Sequence, residues 1–182
     1  MPGKLVLLIL LAIAPAASGN DVLRYRVSVP ESLDQLSVEV CQGSRVIEEF
    51  SSHSAEARQY LFVPDRGVTR PLVELSHGRI RYKGGAEQCF DYAVDLAAAR
   101  GADTSRLVRA QYGAILMRSG LWLWRPTSQP AETSIRVAFD LPEGHDVSAP
   151  WQRVDGSDGD PVYTISGSPP DWPDLVAVGR FR

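Results

Sequence analysis

Four stretches of this sequence alternate apolar and polar residues with a period of two, and no other feature limits the fold as strongly. In "RYRVSV" the apolar members are Tyr25, Val27 and Val29, and in "LSVEVC" they are Leu36, Val38 and Val40. In "CFDYAVDL" they are Phe90, Tyr92, Val94 and Leu96, and in "SIRVAFDL" Ile135, Val137, Phe139 and Leu141. Successive side chains of a strand leave on opposite faces, so each stretch reads as a strand with one apolar and one wet face. Such strands build antiparallel sheets whose apolar faces pack on a second layer.

The segments between them continue the pattern. "RIRYKGG" and "PVYTISGS" read as strands running into Gly-rich turns. Helical candidates are short: "HSAEARQYL" around Glu56, and "DLAAARG", which stops at Gly101. No internal repeat is present. Many short strands with Gly and Pro turns predict a mostly β chain, an antiparallel β-sandwich with one or two short helical turns.

The first residues, "MPGKLVLLILLAIAPAASGN", combine an early Lys4, an apolar run from Leu5 to Ile13 and small residues after it. This is the pattern of a secretory signal peptide. The run is about half the ~20 residues that a bilayer span requires. Cleavage is expected after Ala16 or Gly19, with Gly19 favoured, which leaves residues 20–182 as a single β-sandwich domain. No later segment is long and apolar enough to cross a membrane as a helix, so a periplasmic or extracellular product is expected. Residues 1–19 carry one charge, Lys4, so 18 of the 19 basic residues remain against 22 acidic ones. A net negative chain without a basic cluster lacks the electrostatic footprint of a nucleic-acid binder.

Export places the two cysteines, Cys41 and Cys89, where disulfides persist. Closing the loop between them stabilises by ~4 kcal/mol on the chain-entropy estimate. Both lie on the polar parity of their strands, which puts a bridge outside the core. Neither has a second cysteine or a histidine at ligand spacing, as a reactive or metal-binding thiol would.

The usual catalytic signatures are missing from the sequence. His53, His77 and His145 form no His-Glu-x-x-His, and no serine stands between glycines in a Gly-x-Ser-x-Gly. "DGSDGD", Asp155 to Asp160, is oxygen-rich but departs from the helix-loop-helix calcium spacing, and reads as a hairpin loop. "LWLWRP", residues 121–126, is the most distinctive stretch. Read as a strand, it points Leu121 and Leu123 one way and Trp122 and Trp124 the other. A strand apolar on both faces is usually buried in a core or an interface, while two exposed tryptophans offer a platform to a sugar or a peptide. Trp151 and Trp172 stand beside prolines, as loop-packing residues do.

Taken in order, "VSVPESLDQLSVEVC", "CFDYAVDLAAA", "LWLWRP", "IRVAFDLPEGHDVSAPW" and "DLVAVGRF" resemble the N-terminal β-domain of exported bacterial members of the glycyl aminopeptidase-like family M61. The resemblance spans most of residues 21–182. It implies a non-catalytic β-sandwich that packs on a separate thermolysin-like catalytic domain. In that family the zinc-binding His-Glu-x-x-His lies downstream of the "VGRF" strand, so zinc and the catalytic residues are expected outside these 182 residues. The resemblance also suggests that Trp122, Trp124 and Trp151 form the face that meets the peptidase domain. The alternative is a stand-alone exported module that binds carbohydrate or peptide on the LWLWRP face.

Overall fold

The structure, a computed structural model, describes residues 22–64, 73–102, 108–128, 133–154, 160–165 and 175–181. The expected signal peptide, the Asp155–Gly159 part of the acidic loop and Trp172 lie outside them. In chain order the elements are β1 (Val22–Ser28), β2 (Gln35–Cys41), β3 (Glu49–Ser51), a 3-10 turn (Glu56–Gln59), β4 (Leu61–Phe62), β5 (Val73–Ser76), β6 (Arg79–Tyr82), β7 (Cys89–Asp95) and α1 (Leu96–Gly101). They continue with β8 (Val108–Gln111), β9 (Ala114–Arg118), α2 (Ser119–Trp122), β10 (Arg125–Pro126), β11 (Ser134–Asp140), β12 (Asp146–Ser148), β13 (Gln152–Val154), β14 (Val162–Ile165) and β15 (Leu175–Gly179). The chain is mostly β with short helices, as the alternation predicts.

Three sheets share one core. The largest has the order β13-β14-β11-β1-β2-β7-β4, and two four-stranded sheets have the orders β10-β3-β6-β5 and β12-β15-β9-β8. The apolar parity of the four alternating stretches is buried except at Leu141, which is partly so: Val27, Val38, Tyr92 and Val137 have no exposed surface. Phe50 and Tyr82 of the β10-β3-β6-β5 sheet meet Phe90 of the large sheet with ring centroids 5.1 and 5.0 Å apart. Tyr163 of β14 donates its hydroxyl to the Val147 carbonyl of β12 at 2.9 Å, tying the third sheet to the first.

One pairing departs from the all-antiparallel expectation. β1 and β11 run parallel at the centre of the large sheet, Val22 opposite Ser134 through to Ser28 opposite Asp140. Alternation reports which face of a strand is wet and carries no information on its direction. The long connection between these strands leaves room for the crossover that a parallel pair needs.

Local chemistry accounts for the short elements. Asp95 ends β7 and caps α1, its carboxylate accepting from the Ala98 N–H at 2.8 Å. The β5–β6 and β8–β9 hairpins turn on His77-Gly78 and Tyr112-Gly113, each pair with positive φ at both residues. This is the mirror-image turn that suits the twist of a hairpin, and glycine takes the second position without a Cβ penalty.

Candidate functional site

The LWLWRP segment is not a strand. Ser119–Trp122 form the single turn α2, closed by the Leu123 N–H on the Ser119 carbonyl at 2.7 Å, and only Arg125 and Pro126 pair as β10. Leu121, Trp122, Leu123 and Trp124 are all buried, both tryptophans completely. Four consecutive apolar residues suit a buried turn as well as a buried strand, so periodicity could not separate the two.

What holds this turn is a pair of buried tyrosines from the large sheet. Tyr25 donates its hydroxyl to the Trp124 carbonyl at 2.7 Å, and Tyr92 donates to the Trp122 carbonyl at 2.6 Å. The Tyr92 oxygen also accepts the Trp124 N–H at 3.3 Å. Burial pushes both phenols well above their ordinary range, so they act as neutral donors. Ser52 donates its hydroxyl to the Gly120 carbonyl from the other side. The backbone groups freed where the turn leaves regular structure are thereby satisfied by side chains.

The rings sit in the same core. Trp122 meets Phe139 edge-on at 5.8 Å and Trp151 at 5.9 Å, and Tyr163 closes the cluster against Phe139 and Trp151 at 5.9 and 6.4 Å. Trp122 and Trp151 are thus neighbours, as a common face would require, but the contact is internal. Trp122 and Trp124 present no ring to solvent, and of the three expected face residues Trp151 alone is partly exposed. The physical reason is burial value: an indole ring removes more apolar surface from water than any other side chain. The Nε1 atoms of Trp122 and Trp124 are buried without a hydrogen-bond partner among the described residues.

Apolar surface does exist on another part of the molecule. β15 lies between β9 and β12 with Val176 and Val178 inward beside Met117 and Ile115. Of the alternate positions on the outward parity, Leu175 is exposed and Ala177 half-buried beside half-buried Ala114 and Leu116 of β9, Gly179 is buried, and Arg118, Asp146 and Ser148 share the face. Leu175 is 50% exposed, and Phe181 just beyond β15 is 48% exposed. The outward face of the large sheet is more densely charged and carries Arg24, Arg26, Glu39, Asp91 and Arg136 in register. Two open grooves, of about 370 and 410 Å³, lie elsewhere. One is lined by Arg45 to Glu49 with Thr127 and Ser128, the other by Ser28, Val29, Pro30, Asp34, Gln35 and Ser37.

Cys41 and Cys89 form the disulfide that export predicts. They stand directly opposite each other at the ends of β2 and β7 on the charged outward face, Cys41 partly buried and Cys89 exposed. Among the described residues the one group of metal-ligating side chains gathered closely is Glu39 with these two cysteines. His53 and His77 are exposed, His145 is partly so, and none joins such a group.

No protein-family model matches the sequence, and no curated protein matches it. Among solved structures the chain is similar to an M1 zinc metallopeptidase from Deinococcus radiodurans, at 13% identity and a TM-score of 0.48. It is also similar to a point mutant of a two-domain M1 zinc metallopeptidase bound to L-arginine, at 12% identity and a TM-score of 0.44. Each alignment covers 87% of this chain and 41% of the other, so the chain spans less than half the length of the structures it matches. Both are described as M1 enzymes and do not bear on family M61 in particular.

Proposed function

We propose that residues 20–182 are a non-catalytic β-domain of an exported, M61-like zinc metallopeptidase, and that the domain packs on the catalytic domain through the outward face of the β12-β15-β9-β8 sheet. The observation that carries this reading is a short apolar row on that face, Leu175 and Ala177 of β15 beside Ala114 and Leu116 of β9, set among Arg118, Asp146 and Ser148. A free antiparallel face usually turns polar residues to water, as the large sheet does, and here Leu175 stands out as a half-exposed leucine among them. The segments that resemble family M61 add support, since "VAFDLP", "DVSAPW" and "LVAVG" supply β11, β12 and β15 of this arrangement. Zinc and a peptide substrate would then belong to the catalytic domain of the whole protein. The disulfide fits an oxidising compartment, in keeping with residues 1–19 acting as a signal peptide.

The binding-module alternative rests on exposed Trp122 and Trp124, and neither reaches solvent. The test of the leading reading has two parts. Sequencing the coding frame beyond the Arg182 codon is expected to reveal a downstream His-Glu-x-x-His. In the product of that frame, Leu175→Asp is expected to loosen the domain contact, read as faster proteolysis between domains. The same change in the 182-residue chain should shift stability by no more than about 0.5 kcal/mol, as exposed positions do. A frame with no peptidase sequence, or a longer product indifferent to Leu175→Asp, overturns the reading.

A further inference from the structure

We propose that reduction of the Cys41–Cys89 disulfide converts this corner of the large sheet into a binding site for a thiophilic divalent cation, with Cys41, Cys89 and Glu39 as ligands. The inference is independent of the peptidase reading.

The β2–β7 ladder holds the two sulfurs together. β2 and β7 pair over seven residues each, from Gln35 opposite Asp95 to Cys41 opposite Cys89. That ladder and the apolar row beneath it, Leu36, Val38 and Val40 with Phe90, Tyr92 and Val94, remain when the sulfur–sulfur bond is broken. The two thiols therefore stay side by side on one face. Glu39 lies two residues before Cys41 on β2, so its carboxylate leaves on that same face. One carboxylate oxygen and both sulfurs already lie within 4.8 Å of one another. Ligand atoms around a tetrahedral zinc with metal–sulfur bonds of ~2.3 Å stand roughly 3.5–3.8 Å apart, so small side-chain adjustments close the set.

Access and charge favour the conversion. Cys89 is exposed, and β4 covers β7 only at Val94 and Ala93, so an attacking thiolate can reach the bridge. A dithiol reductant supplies two electrons and two protons: its own sulfurs become a disulfide, and Cys41 and Cys89 become thiols. Cation binding then releases both thiol protons, and the carboxylate of Glu39 joins as the third ligand. Two thiolates and one carboxylate around a dication leave one negative charge. Arg24, opposite Cys41 on β1 and on the same face, offsets it. Three protein ligands leave a fourth position for water, and thiolate donors select zinc or cadmium over magnesium or calcium.

The test uses the 182-residue chain, with cadmium as the probe. After reduction by a phosphine and removal of oxygen, titration should show one cadmium per chain by the thiolate-to-cadmium absorption band in the ultraviolet. The oxidised chain and a Cys41→Ser/Cys89→Ser double variant should show no such band. Glu39→Gln leaves both sulfurs in place and should weaken cadmium binding by at least about tenfold. Circular dichroism of the reduced, metal-free chain should match that of the oxidised chain. A folded reduced chain without the band overturns the proposal, and so does an unfolded one, because the site requires the β2–β7 ladder. Undiminished affinity in Glu39→Gln overturns the three-ligand site.

Discussion

The Tyr92 hydroxyl donates to the Trp122 carbonyl at 2.6 Å, across a core in which neither residue has any exposed surface. The same oxygen accepts the Trp124 N–H, so one side chain satisfies two backbone groups of a turn with no sheet partner of its own. Tyr92→Phe keeps the ring and removes both bonds, leaving the buried Trp122 carbonyl and Trp124 N–H only the 3.2 Å bond between them. A buried hydrogen bond contributes about 0.5–1.5 kcal/mol net, so the loss of two predicts a fall in stability of about 1–3 kcal/mol in chemical denaturation. A loss below about 0.5 kcal/mol would mean that the turn is held by ring packing alone.

Stability should also fall in alkali, through Tyr25 and Tyr92. Burial raises both phenols, and for Tyr25 the neighbouring Tyr92 raises it further against a smaller opposing effect of Arg125. In the unfolded chain both ionise near pH ~10, while in the fold they stay protonated. A folded-state pKa above the unfolded one contributes stability that is complete below the unfolded value and is lost as pH rises beyond it. Each tyrosine should steepen the decline by up to about 1.4 kcal/mol per pH unit above pH ~10. Denaturant midpoints measured across that range check this, and Tyr92→Phe should make the decline shallower.

These tyrosines also mark how far the sequence could be read. Tyr25 and Tyr92 fall on the apolar parity of their strands, so their burial was legible, but the groups that their hydroxyls meet lie 99 and 30 residues away along the chain. Alternation identified β1, β2, β7 and β11 and placed both cysteines on the outward face. It was silent on the parallel pairing of β1 with β11, because direction leaves no trace in a period of two. "LWLWRP" misled in geometry because an unbroken apolar run has no period. The outward apolar row was present in "AILMR" and "LVAVG", whose alternate positions are all apolar or small except Arg118. It became a surface only once β15 was seen to lie against β9.

The disulfide should contribute strongly to stability while leaving the fold in place. It closes a loop across a sequence separation of 48, for which the chain-entropy estimate is ~4 kcal/mol. Its two strands are already joined by a seven-residue ladder, so structure remaining in the unfolded chain sets the shortfall from that figure. Cys41→Ser/Cys89→Ser is expected to lose about 2–4 kcal/mol and to keep a native-like β spectrum. An unchanged denaturation midpoint, or alkylation of both cysteines in the untreated folded chain, would show that the bond is not formed in solution.

Gly179 tests the sheet that carries the proposed docking face. It pairs with Ala114 of β9 on one side and Asp146 of β12 on the other, in a strand flanked on both edges. A Cβ at Gly179 would stand 2.6 Å from both the Cα and the Cβ of Ala114. Those atoms belong to the paired backbone and its first side-chain carbon, so relief requires β9 and β15 to part or twist and not merely a rotamer change. Gly179→Ala is therefore expected to cost about 1–3 kcal/mol, the range of overpacking. Gly101 is the control: a Cβ there meets nothing within 4 Å, and Gly101→Ala at the end of α1 should be neutral or stabilising by up to about 1 kcal/mol. Denaturation midpoints of the two variants should move in opposite directions or differ by at least the overpacking cost. If the Gly179→Ala midpoint matches the parent, the close approach of β9 and β15 is wrong, and the placing of Leu175 and Leu116 on one outward face loses its basis.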